Sequence, residues 1–137
     1  MPLDPALAGR TFAPTAPYTV SREKIAEFNR AIGAEPIDGG ASAPLTFPIV
    51  LAFEAMLQLM TDPDVGIELH NVVHGDQRFE QNRLIRAGDE LTATLTIDSL
   101  RTASGVDMIK TRTAVSTTDG EPVAVAFATL VHRGGAA

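Results

Sequence analysis

The stretch LTFPIVLAFEAMLQLMTDP, Leu45–Pro63, is apolar at nearly every position, and only Glu54 and Gln58 interrupt its central run. Its composition and ends predict a helix. Thr46 can cap it, Pro48 is tolerated in a first turn, where its missing N–H breaks no intrahelical bond, and Asp62-Pro63 stops it. A helix apolar around most of its circumference must be buried on most sides, so the rest of the chain has to wrap it. Phe47, Ile49, Val50, Phe53, Met56, Leu57 and Met60 are therefore expected core, with Phe53 fully covered.

Downstream, from Val72, the hydrophobic period changes from that of a helix to two. VVHGDQRFEQ alternates Val73, Gly75, Gln77 and Phe79 on one face with Val72, His74, Asp76 and Arg78 on the other. LTATLTIDSL sets Leu91, Ala93, Leu95 and Ile97 against Thr92, Thr94, Thr96 and Asp98. VDMIKTRTAVST and PVAVAFATLVH complete a meander of at least four antiparallel strands, separated by the turn sequences RAGDE, TASG and TTDGEP. Gly75 is expected to mark a bulge or a close backbone approach.

Upstream, SREKIAEFNRAIG predicts a shorter helix, with Ser21 as N-cap, Glu23 in the first turn, Ile25, Phe28 and Ile32 at helical spacing, and Gly33 closing it. Residues 1–17 carry four prolines and read as an extended arm, and AEPIDGGASAP reads as a loop. The order of helix, long apolar helix and β-meander gives an α+β class, a twisted antiparallel sheet around one buried helix. No internal repeat is present.

With 137 residues the chain is expected to form one domain, 1–137, with a sizeable core. A net charge of −6 sets nucleic acid aside as a partner. The absence of cysteine excludes disulfides, a thiol nucleophile and a Cys-based zinc site, and fits a cytoplasmic address. No signal peptide is read at the start, and no apolar run is long enough to span a bilayer.

The stretch APLTFPIVL, followed about thirty residues on by VVHGDQRFEQNRLIRAGDEL, resembles the MaoC-like dehydratases. More narrowly it is similar to the N-terminal type of domain in that group, which also supplies one subunit of heterodimeric (R)-3-hydroxyacyl-thioester dehydratases. REKIAEF, APLTF, HGDQ-x-F and RAGDEL stand in the family's order, from about Ala8 to Val131. The resemblance implies the hot-dog fold, with the sheet as bun and the long helix as sausage. It implies (R)-specific hydration of trans-2-enoyl thioesters and the reverse dehydration, on CoA or acyl carrier protein substrates, with no cofactor. Catalytic members carry G-D-x-N-P-x-H after the first helix: the His takes the α-carbon proton, the Asp handles the water or hydroxyl, and backbone N–H groups at the central helix hold the thioester oxygen. Here the matching stretch is GAEPIDGG. With one residue deleted, Ala34 takes the place of the Asp and Asp38 that of the His. The chain thus resembles the non-catalytic half, whose hot-dog partner supplies the dyad.

HGDQ has three readings. His74 and Asp76, two apart on one strand face, can serve a hydrogen-bond network or dimer contact. His74 or Gln77 can border an acyl tunnel. Or His74 and Asp76, with Asp38 as a further candidate, can carry the chemistry. Phe47, Ile49 and Phe53 are the tunnel candidates on the helix. His70 and His74 form an H-x3-H pair, but on a strand and without a third ligand, so no metal is expected. His132 is expected to be solvated. Arg78, Arg83, Arg86, Arg101, Lys110 and Arg112 are expected on solvated faces, with CoA phosphates or an acidic carrier protein as alternative partners. Two rival functions stand beside the subunit: a self-sufficient homodimeric hydratase or thioesterase using His74 and Asp76, and a non-enzymatic acyl-thioester binding protein.

Overall fold

The computed structural model describes residues 3–133; Met1 and Pro2 of the expected arm and the last four residues lie outside them. The first helix, α1 (Arg22–Ile32), begins where Ser21 Oγ accepts from the Lys24 amide at 3.0 Å. It ends at Gly33, whose φ of 69° is the left-handed conformation that glycine adopts without a side-chain clash. The second helix, α2 (Ile49–Thr61), follows Pro48 with no side-chain cap. Thr46 does not cap it. The chain from Pro44 instead enters α2 through tight turns, in which the amides of Phe47, Ile49 and Val50 donate to the carbonyls of Pro44, Thr46 and Phe47.

The strands are β1 (Tyr18–Thr19), β2 (Val72–Gln81), β3 (Glu90–Ala103), β4 (Val106–Thr117) and β5 (Pro122–Arg133). They form one antiparallel sheet in the order β1-β3-β4-β5-β2. Only β3, β4 and β5 are a meander. β2 pairs with β5, not with its sequence neighbour β3, because the segment between β2 and β3 is no hairpin turn. It buries Ile85 and bonds to the loop before α2: Ala43 N–H donates to the Ile85 carbonyl, and Ala87 N–H to that of Ala41. The N-terminal arm runs along β3, with the amides of Gly9, Phe12 and Thr15 on the carbonyls of Ile97, Leu95 and Ala93.

The sheet curls around α2 in the hot-dog arrangement. Leu51, Ala55, Met56 and Leu59 of α2 pack on Leu91, Leu95, Ile97 and Ile109. Burial on most sides does not hold, however. Phe53 is 48% exposed, and Leu57, one turn further, is also exposed. The sheet covers one side of the helix and leaves Phe53 and Leu57 exposed, while Ile49 is half-buried against the core. Among the described residues no helix is long and apolar enough to cross a membrane.

Candidate functional site

A groove of about 900 Å³ lies between the end of α1, the start of α2 and β2. Phe28 and Ile32 form its α1 wall, and Leu45, Thr46 and Ile49 the side nearest α2. β2 contributes Phe79 together with His74, Gln77, Arg78 and Gln81. Phe28 is held by an edge-to-face contact with the fully buried Phe47, ring centroids 5.3 Å apart. Phe47 is thus core behind the groove wall. Of the expected tunnel residues, Ile49, His74 and Gln77 line the groove, while Phe47 and Phe53 do not.

The polar end of the groove is built by a β-bulge. The register of β2 against β5 shifts between His74, opposite Leu130, and Asp76, opposite Thr129. Gly75 is the extra residue. Before it, His74 faces the concave side; after it, Gln77 and Phe79 do, opposite Ala128 and Ala126. Strict alternation assigned His74 and Gln77 to opposite faces and His74 and Asp76 to the same one. The bulge reverses both. His74 Nε2 lies 2.9 Å from Gln77 Oε1, and Asp76 sits on the convex side with Arg78. Gln77 Nε2 donates to the Arg78 carbonyl, so its oxygen faces the imidazole, and an amide oxygen only accepts. His74 therefore carries its proton on Nε2 and is oriented by a neutral amide. No carboxylate holds it as a general base is held in an Asp–His pair.

Asp38 is no better placed. It is exposed, has φ 52°, and accepts from Ser42 Oγ at 2.8 Å. It does not line the groove. At the start of α2, Pro48 brings no N–H, and the amides of Ile49, Val50 and Leu51 donate to Thr46, Phe47 and Pro48 carbonyls at 3.0–3.1 Å. These amides are engaged, not free to hold an oxyanion.

The Asp–His pair that the chain does contain lies elsewhere. His132, expected in solvent, is 1% exposed. Its side chain projects to the concave side from the end of β5, where the N-terminal arm and the turn before β2 close over it. Its Nε2 accepts from the Glu68 amide at 3.0 Å, so its proton sits on Nδ1, 2.9 Å from Asp107 Oδ2. Asp107 Oδ1 accepts from Thr102 Oγ1 at 2.6 Å and from Leu3 N–H. Burial alone would raise the Asp107 carboxyl; the hydrogen bonds from Thr102, His132 and Leu3 hold it below the usual aspartate range. Both imidazole nitrogens are spent, so this pair clamps five segments together and does no proton transfer. Sequence spacing gave no sign of it, since Asp107 and His132 meet only through the β4–β5 register.

The arginines divide. Arg83 bonds Asp89 at 2.8 Å and Glu121 at 3.0 Å. Burial pushes the Asp89 carboxyl up, but Arg83 and the Arg86 amide hold it below its usual value. Arg83 is thus a structural clamp. Arg78, Arg101, Lys110 and Arg112 are exposed. Among the described residues no group of three or more His, Asp or Glu side chains is placed to hold a metal.

A family model described as "FAS1-like, dehydratase domain region" matches residues 6–126. The chain belongs to that family. A relative from Leifsonia xyli subsp. xyli, a UPF0336 protein, is 42% identical and matches over 98% of both chains. Among solved structures, a chain of the C-terminally truncated HadBC (3R-hydroxyacyl-ACP dehydratase) complex of Mycobacterium tuberculosis superposes with a TM-score of 0.79 at 32% identity. The match covers 91% of this chain and 96% of that one. A MaoC-like dehydratase gives 0.78 at 29% identity, over 95% of this chain and 43% of that one. The sheet, the helix it wraps and the order of elements are those of a MaoC-like hot-dog dehydratase.

Proposed function

We propose that this chain is the substrate-holding subunit of a MaoC-type hydratase/dehydratase, one hot-dog domain that works with a catalytic hot-dog partner. Its substrates are (R)-3-hydroxyacyl and trans-2-enoyl thioesters of CoA or acyl carrier protein. The observation that carries this reading is an apolar groove without a proton-handling pair. Phe28, Ile32, Ile49 and Phe79 suit an acyl chain, while His74 is held by Gln77 and Asp76 faces away from it.

The partner supplies the imidazole that takes the α-carbon proton and the carboxyl that handles water or hydroxyl. The exposed Phe53 and Leu57 of α2 and the open side of β2 lie near the groove, so a second hot-dog sheet paired with β2 would cover all three. The complex named for the M. tuberculosis structure supports a partner of that kind.

The test is hydration of a trans-2-enoyl-CoA by the purified chain, alone and with a hot-dog chain carrying G-D-x-N-P-x-H. Alone, the rate stays at background. With the partner, turnover appears; changing the partner's Asp or His abolishes it, and His74→Ala alters it only mildly. Brisk hydration by the chain alone, lost in His74→Ala, would overturn the proposal.

A further inference from the structure

A second cavity, of about 440 Å³, lies between the N-terminal arm, the first turn of α1 and the first half of α2. That volume falls in the range of small-molecule sites, roughly 300–1,000 Å³. It shares no lining residue with the groove, and no part of its wall comes from β2.

Ala16 and Pro17 of the arm and Tyr18 of β1 form one wall, and Val50 and Leu51 of α2 form another. This lining is mostly apolar. The arm is fixed beside it. The Thr15 amide donates to the Ala93 carbonyl and the Ala93 amide to Thr15 Oγ1, both at 2.9 Å. The wall is thus held in place without a ligand, which lowers the ordering cost of binding one.

The two charged groups at the cavity, Lys24 and Glu54, are not equally free. Lys24 Nζ is bonded to Glu27 Oε1 at 2.8 Å, so its charge is matched within α1. Glu54 is the one charged residue of α2, is exposed, and has no ion-pair partner among the described residues. The cavity therefore has an excess carboxylate beside an apolar wall. An anionic ligand would meet Glu54 with no uncompensated cation to offset it, and a neutral one would leave Glu54 to water. A cation on an apolar body uses both features: the body covers Val50, Leu51 and Pro17, and the Tyr18 ring attracts positive charge across its face.

We propose that this cavity binds a small organic ammonium ion with a ring-sized apolar body, its charge set against Glu54. The site is separate from the acyl groove, and no step of the inference rests on the proposed function.

Titration of the isotope-labelled full chain with phenylethylammonium, followed through backbone amide chemical shifts, tests it. The amides of Ala16, Tyr18, Lys24 and Glu54 shift saturably, and those of His74, Gln77 and Phe79 do not. Phenylethanol, the neutral analogue, binds about twofold to fivefold more weakly, the worth of one exposed ion pair, and phenylpropanoate more weakly still. Glu54→Gln brings the ammonium probe to the level of the alcohol and leaves the alcohol unchanged. Ala16→Trp, at an exposed position of the arm, fills the cavity and removes binding of both. Circular dichroism establishes that each variant is folded. No saturable shift at these amides with tens of millimolar phenylethylammonium would overturn the proposal. So would equal affinity for the ammonium and the alcohol, or unchanged binding in folded Glu54→Gln or Ala16→Trp. Displacement of the ammonium probe by coenzyme A would also overturn it, by making the cavity part of a thioester site. None of these outcomes depends on hydratase activity or on a partner chain.

Discussion

Replacing Asp107 by Ala is expected to destabilise the chain more than any single change in the groove. The carboxylate is fully buried and serves three donors: Thr102 Oγ1 at 2.6 Å, His132 Nδ1 at 2.9 Å and Leu3 N–H at 3.3 Å. Without it, the Nδ1–H of His132 and the Leu3 N–H have no partner in a dry interior, at about 1–3 kcal/mol for each unsatisfied group, while the exposed Thr102 hydroxyl can turn to water. Two such buried donors together, about 2–6 kcal/mol, set the expected loss for Asp107→Ala. The double variant Asp107→Leu/His132→Leu removes both polar groups and should cost less than the sum of the single changes. Urea denaturation measures all of this, as a shift of midpoint at constant slope. A loss under about 1 kcal/mol for Asp107→Ala, or strict additivity in the double variant, would refute the clamp.

Further outcomes follow from the same contacts. Phe47→Ala should cost about 3–5 kcal/mol by the same assay, whereas the exposed Phe53→Ala should cost under about 1 kcal/mol in the isolated chain; equal effects would contradict the assigned faces of α2. Gly75→Ala should be nearly neutral, since a Cβ there meets Thr129 O and a Val131 methyl at 3.5 Å, ordinary contact distance; a loss above about 2 kcal/mol would mean the bulge needs glycine. Asp89 and Asp107 both sit below the usual aspartate value in the folded state, so the unfolded chain binds more protons in acid. Their contribution is complete above about pH 4 and lost as pH falls towards the folded values, and Asp107→Ala should flatten the fall in stability between pH 5 and 2 measured by urea titration.

Much of the architecture is written locally. Ser21 and Gly33 bracket α1 because capping and left-handed termination are properties of single residues. The alternation of Leu91, Ala93, Leu95 and Ile97 sets their common face because side-chain direction in a strand has a period of two. Apolarity alone marked Leu45–Pro63 as the wrapped helix. It could not say which side the sheet covers, because an apolar side chain left exposed and one buried in the core look the same in composition; Phe53 and Phe47 look alike in sequence and differ in space.

The site needed tertiary structure for two physical reasons. One inserted residue at Gly75 moves every later side chain of β2 to the other face, so the alternation that paired His74 with Asp76 fails at that residue and His74 meets Gln77 instead. The groove, and the Asp107–His132 pair apart from it, join residues far apart in the chain, and strand order and register alone bring them together. The sequence by itself determined the class of fold and the family resemblance. Which polar groups then face the groove, and which are spent holding the sheet together, was decided by packing, because hydrogen-bond partners are chosen by proximity in space and not along the chain.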